Sequence, residues 1–209
     1  MKSRNLVRFF LSTLSVGAVI TVFVGFTLNW GEYKDLFIQG EIGEIVGITI
    51  WLIGVGCIFS LISQMGFFSY LTVHRFGLGI FKSSSLWNSV QVVFILFVLF
   101  DLVYFRYTFF AEAGESITNY LFLALTLLVV GLAFSYVKMK QTNRTAFIPA
   151  LFFLTVVTIV EWFPALRTNE ESWLYLMLIP LIICNIYQLL MLPKFLESPH
   201  IIKEVRESK

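Results

Sequence analysis

This sequence is short of charge. Only 13% of its 209 residues are Asp, Glu, Lys or Arg, about half the roughly 25% of a soluble domain. Hydrophobic residues reach 58% and the mean hydropathy is +0.84. A water-soluble domain is thereby excluded, and the solvent for most of the chain is lipid. Cysteine is nearly absent too: Cys57 and Cys184 both fall inside apolar runs, which excludes a disulfide framework and reads as two buried free thiols. With only His74 and His200, the ligand spacing of a metal centre is missing, and no metal or other cofactor is expected. The chain has no Gly-Lys-Ser/Thr phosphate loop, no His-Glu-x-x-His and no Gly-x-Ser-x-Gly, so no catalytic residue stands out and an enzyme is not expected. The net charge of +2 offers no basic patch for nucleic acid.

What the chain has instead is long apolar runs. A bilayer core of about 30 Å needs about 20 apolar residues per helix, and six such spans fit, at about 7–28, 45–66, 86–105, 117–137, 146–166 and 172–192. The connections are too short for a separate soluble core. The expected fold is all-α: one polytopic bundle of six transmembrane helices over 1–209, with 193–209 as a tail. The first run exceeds the apolar region of a signal peptide, so it reads as a retained helix.

Placing the amino terminus in the cytoplasm puts Lys2, Arg4, Arg8, Arg75, Lys82, Lys138, Lys140, Arg144, Lys194, Lys203, Arg206 and Lys209 inside, and only Lys34, Arg106 and Arg167 outside. That bias satisfies the positive-inside rule at every loop pair, with both termini cytoplasmic in the plasma membrane. Glu32, Asp35, Glu41, Glu44, Glu112, Glu115, Glu170 and Glu171 fall outside. Asn143-Arg144-Thr145 fits a glycosylation acceptor but lies on the cytoplasmic side, where it stays unmodified.

Apolar character runs past the expected end of the second span into His74, Arg75, Phe76, Gly77, Gly79, Phe81 and Lys82. Aromatic rings mixed with cations suit a segment lying at the interface with anionic lipid; a long tilted helix is the alternative. Gly77 and Gly79 weigh against a continuous helix there. In the tail, Ser198-Pro199 reads as the start of a short helix presenting Ile201, Ile202 and Val205 on one side.

Asp101 and Glu161 are the only acids set well inside spans. Each stands about 15 residues, or roughly 22 Å, from the cytoplasmic end of its helix, so they form a candidate intramembrane polar pair in the outer leaflet. Thr155, Thr158 and Glu161 advance by threes along one helix face. An ion pair with Arg106 or Arg167, or a hydrogen bond between helices, is the preferred reading of such residues; a proton or ion pathway is the alternative. A second candidate layer lies nearer the cytoplasm: Ser60, Ser63, Gln64, Asn88, Gln91, Asn185 and Gln188. Interhelical adhesion explains it by default, and a small-ligand cavity is the sharper alternative. Gly43, Gly47, Gly54 and Gly56 mark small positions where another helix is expected to approach closely.

The strings Trp51-Leu52-Ile53-Gly54-Val55-Gly56, Ile62-Ser63-Gln64-Met65-Gly66-Phe67-Phe68, His74-Arg75-Phe76-Gly77-Leu78-Gly79-Ile80-Phe81 and Val98-Leu99-Phe100-Asp101-Leu102-Val103-Tyr104-Phe105-Arg106 resemble the KinB-signalling pathway activation protein family, as do Met1-Lys2-Ser3-Arg4-Asn5 and Arg8-Phe9-Phe10. The resemblance covers nearly the whole chain. It implies a membrane protein of an endospore-forming bacterium, needed for a membrane sensor histidine kinase to feed the sporulation phosphorelay; it brings no catalytic residues. On this reading the partners are membrane lipids and that kinase, and the oligomeric state is left open. A small transporter, leak pathway or solute sensor working through Asp101 and Glu161 is the rival reading.

Overall fold

The computed structural model describes residues 3–111 and 115–196, and those residues are almost entirely helical. In chain order the helices are α1 (Ser3–Leu28), α2 (Trp30–Gln39), α3 (Ile42–Phe81), α4 (Ser84–Phe110), α5 (Ile117–Gln141), α6 (Phe147–Phe152), α7 (Thr158–Thr168) and α8 (Glu171–Leu196). A 3-10 turn, Arg144–Ala146, leads into α6, and a π turn, Phe153–Val157, joins α6 to α7. Six helical stretches are long and apolar enough to cross a membrane, the fifth being the run from Arg144 to Thr168. Large apolar side chains cover the outside of the bundle: Val19, Phe23, Met65 and Phe122 are each at least two-thirds exposed, which suits hydrocarbon and not water.

Local sequence sets the boundaries. Gly40 closes α2 at φ 72°, a left-handed conformation that glycine adopts without a Cβ penalty. The Ser83 hydroxyl accepts from the Leu86 amide at the start of α4, and Asn143 Oδ1 accepts from the Ala146 amide, 3.1 Å, after α5. Asn169, at φ 50°, ends α7 before α8 turns back.

Two elements depart from the sequence expectation. Helix α2 occupies a stretch expected as loop; Tyr33 and Phe37 set it against Phe26 of α1 at ring distances of 5.6 and 5.7 Å. The second span is the larger correction. It runs unbroken for 40 residues, about 60 Å by helix rise, through His74, Arg75, Phe76, Gly77, Gly79 and Phe81, and Lys82 at φ 52° is its left-handed cap. The chain stays helical where Gly77 and Gly79 were expected to interrupt it. Gly77 does not break α3 because the Trp87 indole of α4 packs on it so closely that a Cβ would collide. Trp87 Nε1 donates to His74 Nδ1 at 3.0 Å, and the indole stacks on Phe81 at 5.5 Å. The roughly 1 kcal/mol that a helical glycine costs is offset by burying that tryptophan between two helices. The proposed tail helix at Ser198-Pro199 lies outside the described residues.

Helices α1, α3 and α8 form the tightest seam. A Cβ at Gly17 would strike Ser60, and one at Gly56 would strike the Gly17 carbonyl, Ala18 and Thr21, so the α1 and α3 backbones approach as small-xxx-small helices do. Helices α4 to α7 flank this seam. Their antiparallel order gathers Arg4, Arg8, Arg75, Lys82, Lys138, Lys140, Arg144 and Lys194 at one end, here the basic end, and Glu32, Asp35, Glu41, Glu44, Glu170 and Glu171 at the other, the acidic end.

Candidate functional site

The buried centre of the bundle holds a chain of polar side chains linking α3, α7 and α8. Gln188 Nε2 donates to Ser63 Oγ at 2.5 Å, and Ser63 Oγ donates to Asn185 Oδ1 at 2.7 Å. Asn185 Nδ2 then donates twice, to Thr158 Oγ1 at 2.9 Å and to Glu161 Oε2 at 2.7 Å. Each member is buried: Ser63, Thr158, Asn185 and Gln188 are 0% exposed and Glu161 is 7%. Glu161 Oε1 accepts no hydrogen bond and lies against Gly66, where a Cβ would collide with the carboxylate. Gly66 is therefore the floor of the Glu161 site, and only a residue without a side chain fits there. Thr155, one turn before Thr158, is buried as the periodicity predicts and donates from the π turn to the Leu151 carbonyl of α6 at 2.7 Å.

Two groups kept apart by sequence reasoning thus merge in part. Glu161 joins Ser63, Asn185 and Gln188, which sequence depth places nearer the cytoplasm. The physical reason is direction: side chains on a helix lean toward its amino terminus, which for α7 is the basic end, and Asn185 sits between Thr158 and Glu161 to meet them. The remaining members of that layer go elsewhere. Ser60 donates to the Thr13 carbonyl of α1 at 2.6 Å and touches Cys184 Sγ at 3.5 Å. Gln64 is buried with neither amide atom hydrogen-bonded. Gln91 is buried beside the Tyr70 hydroxyl, which itself donates to the Pro149 carbonyl at 2.8 Å. Asn88 is half-buried and outside the chain of bonds.

Asp101 is not paired with Glu161. It lines a different space, a cavity of about 670 Å³ between α4 and α7 toward the acidic end, walled by Phe105, Phe109, Phe110, Ile159 and Phe163 with Arg106 and Arg167 at its edge. Among the described residues Asp101 makes no hydrogen bond or ion pair. Arg106 neutralises neither acid: its Nε and Nη2 donate to Asn169 Oδ1 at 3.3 and 3.0 Å, and its guanidinium sits 5.3 Å from the Tyr120 ring centre. Of the four candidate packing glycines, Gly56 meets α1, while nothing in the described chain comes within 4 Å of a Cβ at Gly43, Gly47 or Gly54.

Three contributors escaped sequence reasoning. Thr13, Gly17 and Thr21 repeat at intervals of four on α1 and are all 0% exposed or buried at the seam; that small-residue period was a readable signal. Lys138 Nζ donates to the Leu189 carbonyl at 2.7 Å, an oxygen that would normally accept from residue 193, which is Pro193 and has no N–H. Trp162, fully buried, donates through Nε1 to the Leu174 carbonyl at 2.9 Å and centres the apolar cluster of the acidic half.

The family described as KinB-signalling pathway activation in sporulation matches residues 17–195. A Bacillus subtilis (strain 168) protein named KinB-signaling pathway activation protein is 60% identical over 195 residues, which is 93% of this chain and 98% of that protein. No solved structure matches the chain.

Proposed function

The chain belongs to the family of KinB-signalling pathway activation proteins, and from that membership we propose that it is a non-enzymatic, multi-pass protein of the plasma membrane that activates a membrane sensor histidine kinase by lateral contact. The basic end of the bundle is then cytoplasmic, as the positive-inside rule requires. The observation that carries the reading is identity of 60% across nearly both full lengths with a protein named for that pathway. The architecture supports it. Six helical stretches are long and apolar enough to cross a membrane, and large apolar side chains cover the outside of the bundle. Influence on a kinase then passes through contact within the bilayer. A transport reading would route a solute or proton through both carboxylates, which lie apart, Glu161 in the buried network and Asp101 in the groove.

Affinity purification of the full chain from native membranes, in a detergent that preserves known membrane complexes, tests the proposal. The kinase is expected in the eluate, and loss of the chain is expected to silence that kinase's entry into the phosphorelay. Consistent absence of any kinase from the eluate, with signalling intact without the chain, overturns it.

A further inference from the structure

The α4–α7 cavity has apolar walls that lipid could fill and one group that lipid does not satisfy. Phe105, Phe109 and Phe163 are each at least half exposed, so the space opens sideways from the bundle. Asp101 faces it without a hydrogen bond from the described chain. Acyl chains supply no donor to a carboxylate, and ionisable residues inside a membrane face protein or water and pair there. The two arginines at the edge do not serve as its partners: Arg106 is spent on Asn169 and the Tyr120 ring, and Arg167 is exposed at the end of α7. Along the groove the charges therefore run negative at Asp101, then positive at Arg106, about 7 to 8 Å nearer the acidic end by the rise of five residues along α4, with Arg167 of α7 also at the groove's edge. A phospholipid with its phosphate at the arginines leaves Asp101 facing hydrocarbon. A helix lying in the groove satisfies both levels.

Resting on the lateral-contact reading above, we infer that this groove receives a transmembrane helix of another protein that presents a lysine or arginine to Asp101, with an acidic residue nearer the acidic end facing the exposed Arg167. The complement is one of sign and spacing, as in charge-matched helix pairs, with the phenylalanines forming the apolar bed on either side.

A photoreactive phenylalanine placed at Phe105 or Phe163 of the full chain, and at Val19 on an exposed face of α1 as control, tests this in native membranes. The expected adduct at the two groove positions is a peptide from a membrane span with Lys or Arg in its half nearer the acidic end. Its yield is expected to fall at least tenfold in Asp101→Asn and to persist in Asp101→Glu. Adducts with lipid only, with a second copy of this chain, or with a span lacking a basic residue overturn the inference, as does a yield that ignores Asp101→Asn. If the kinase crosslinks from the α1 control while the groove stays silent, lateral contact stands and the groove assignment fails; if no protein crosslinks from any face, both fail.

Discussion

The contact between α3, α7 and α8 and the groove between α4 and α7 each hold one carboxylic acid, and they treat it in opposite ways. Glu161 is enclosed, bonded by Asn185 and set against the bare backbone of Gly66. Asp101 is half-buried, unbonded and faces an open, aromatic-walled space. The difference teaches that an acid within an apolar span does not have one meaning. Where neighbouring helices supply donors and glycine supplies room, the acid fastens helices together; where they supply neither, the acid is directed outward.

The comparison breaks most forcefully at Gly66. Gly66→Leu drives a side chain into the Glu161 carboxylate, adding overpacking of about 1 to 3 kcal/mol to the loss of the hydrogen bonds it displaces. The folded protein is expected to disappear from membranes at growth temperature, as read by immunoblot and by thermal unfolding in detergent. A small side chain in place of the acid should return the missing space, so Gly66→Ala combined with Glu161→Ala is expected to be more stable than Gly66→Ala alone. Equal stability of the two contradicts the steric account.

Next in size is Asn185→Leu, which removes the donor to both Thr158 and Glu161 and leaves the latter buried without any partner. A cost of about 2 to 3 kcal/mol is expected from the unsatisfied buried acid, visible as a lowered Tm. A smaller effect, about 1 to 2 kcal/mol, is expected for Lys138→Met, because the Leu189 carbonyl then has no donor. That figure is checked by a cycle: in the Lys138→Met background, Pro193→Ala restores an N–H to the same carbonyl and is expected to recover much of the loss.

Much of this contrast was legible in the sequence and part was not. The six long apolar helices and the gathering of Lys and Arg at one end followed from composition and spacing alone, since hydropathy and charge need no partner to be read. The inward face carrying Thr155, Thr158 and Glu161 followed too, all three being buried. What failed was pairing. Whether Glu161 meets Asp101 or Asn185 depends on the lean of its side chain and on which helices are neighbours, and neither is written in one helix's own periodicity. Gly77 misled for a related reason: a glycine in isolation weakens a helix, but the Trp87 ring across the α3–α4 turn uses the space it leaves. Lys138 answers Pro193 through the carbonyl of Leu189, 51 positions from the lysine, a relation that no local pattern encodes.

At Asp101 the effect on folding should be smallest and the effect on partnership largest. Asp101→Asn is expected to change stability by no more than about 0.5 kcal/mol, as for a substitution that breaks no internal contact. The most direct test is a single paired measurement on that variant, comparing its membrane abundance and Tm with its recovery of the kinase and its support of sporulation. Normal abundance and Tm with lost kinase recovery and lost signalling is the predicted result; full signalling, or a protein that no longer accumulates, would contradict the division between an acid that fastens and an acid that docks.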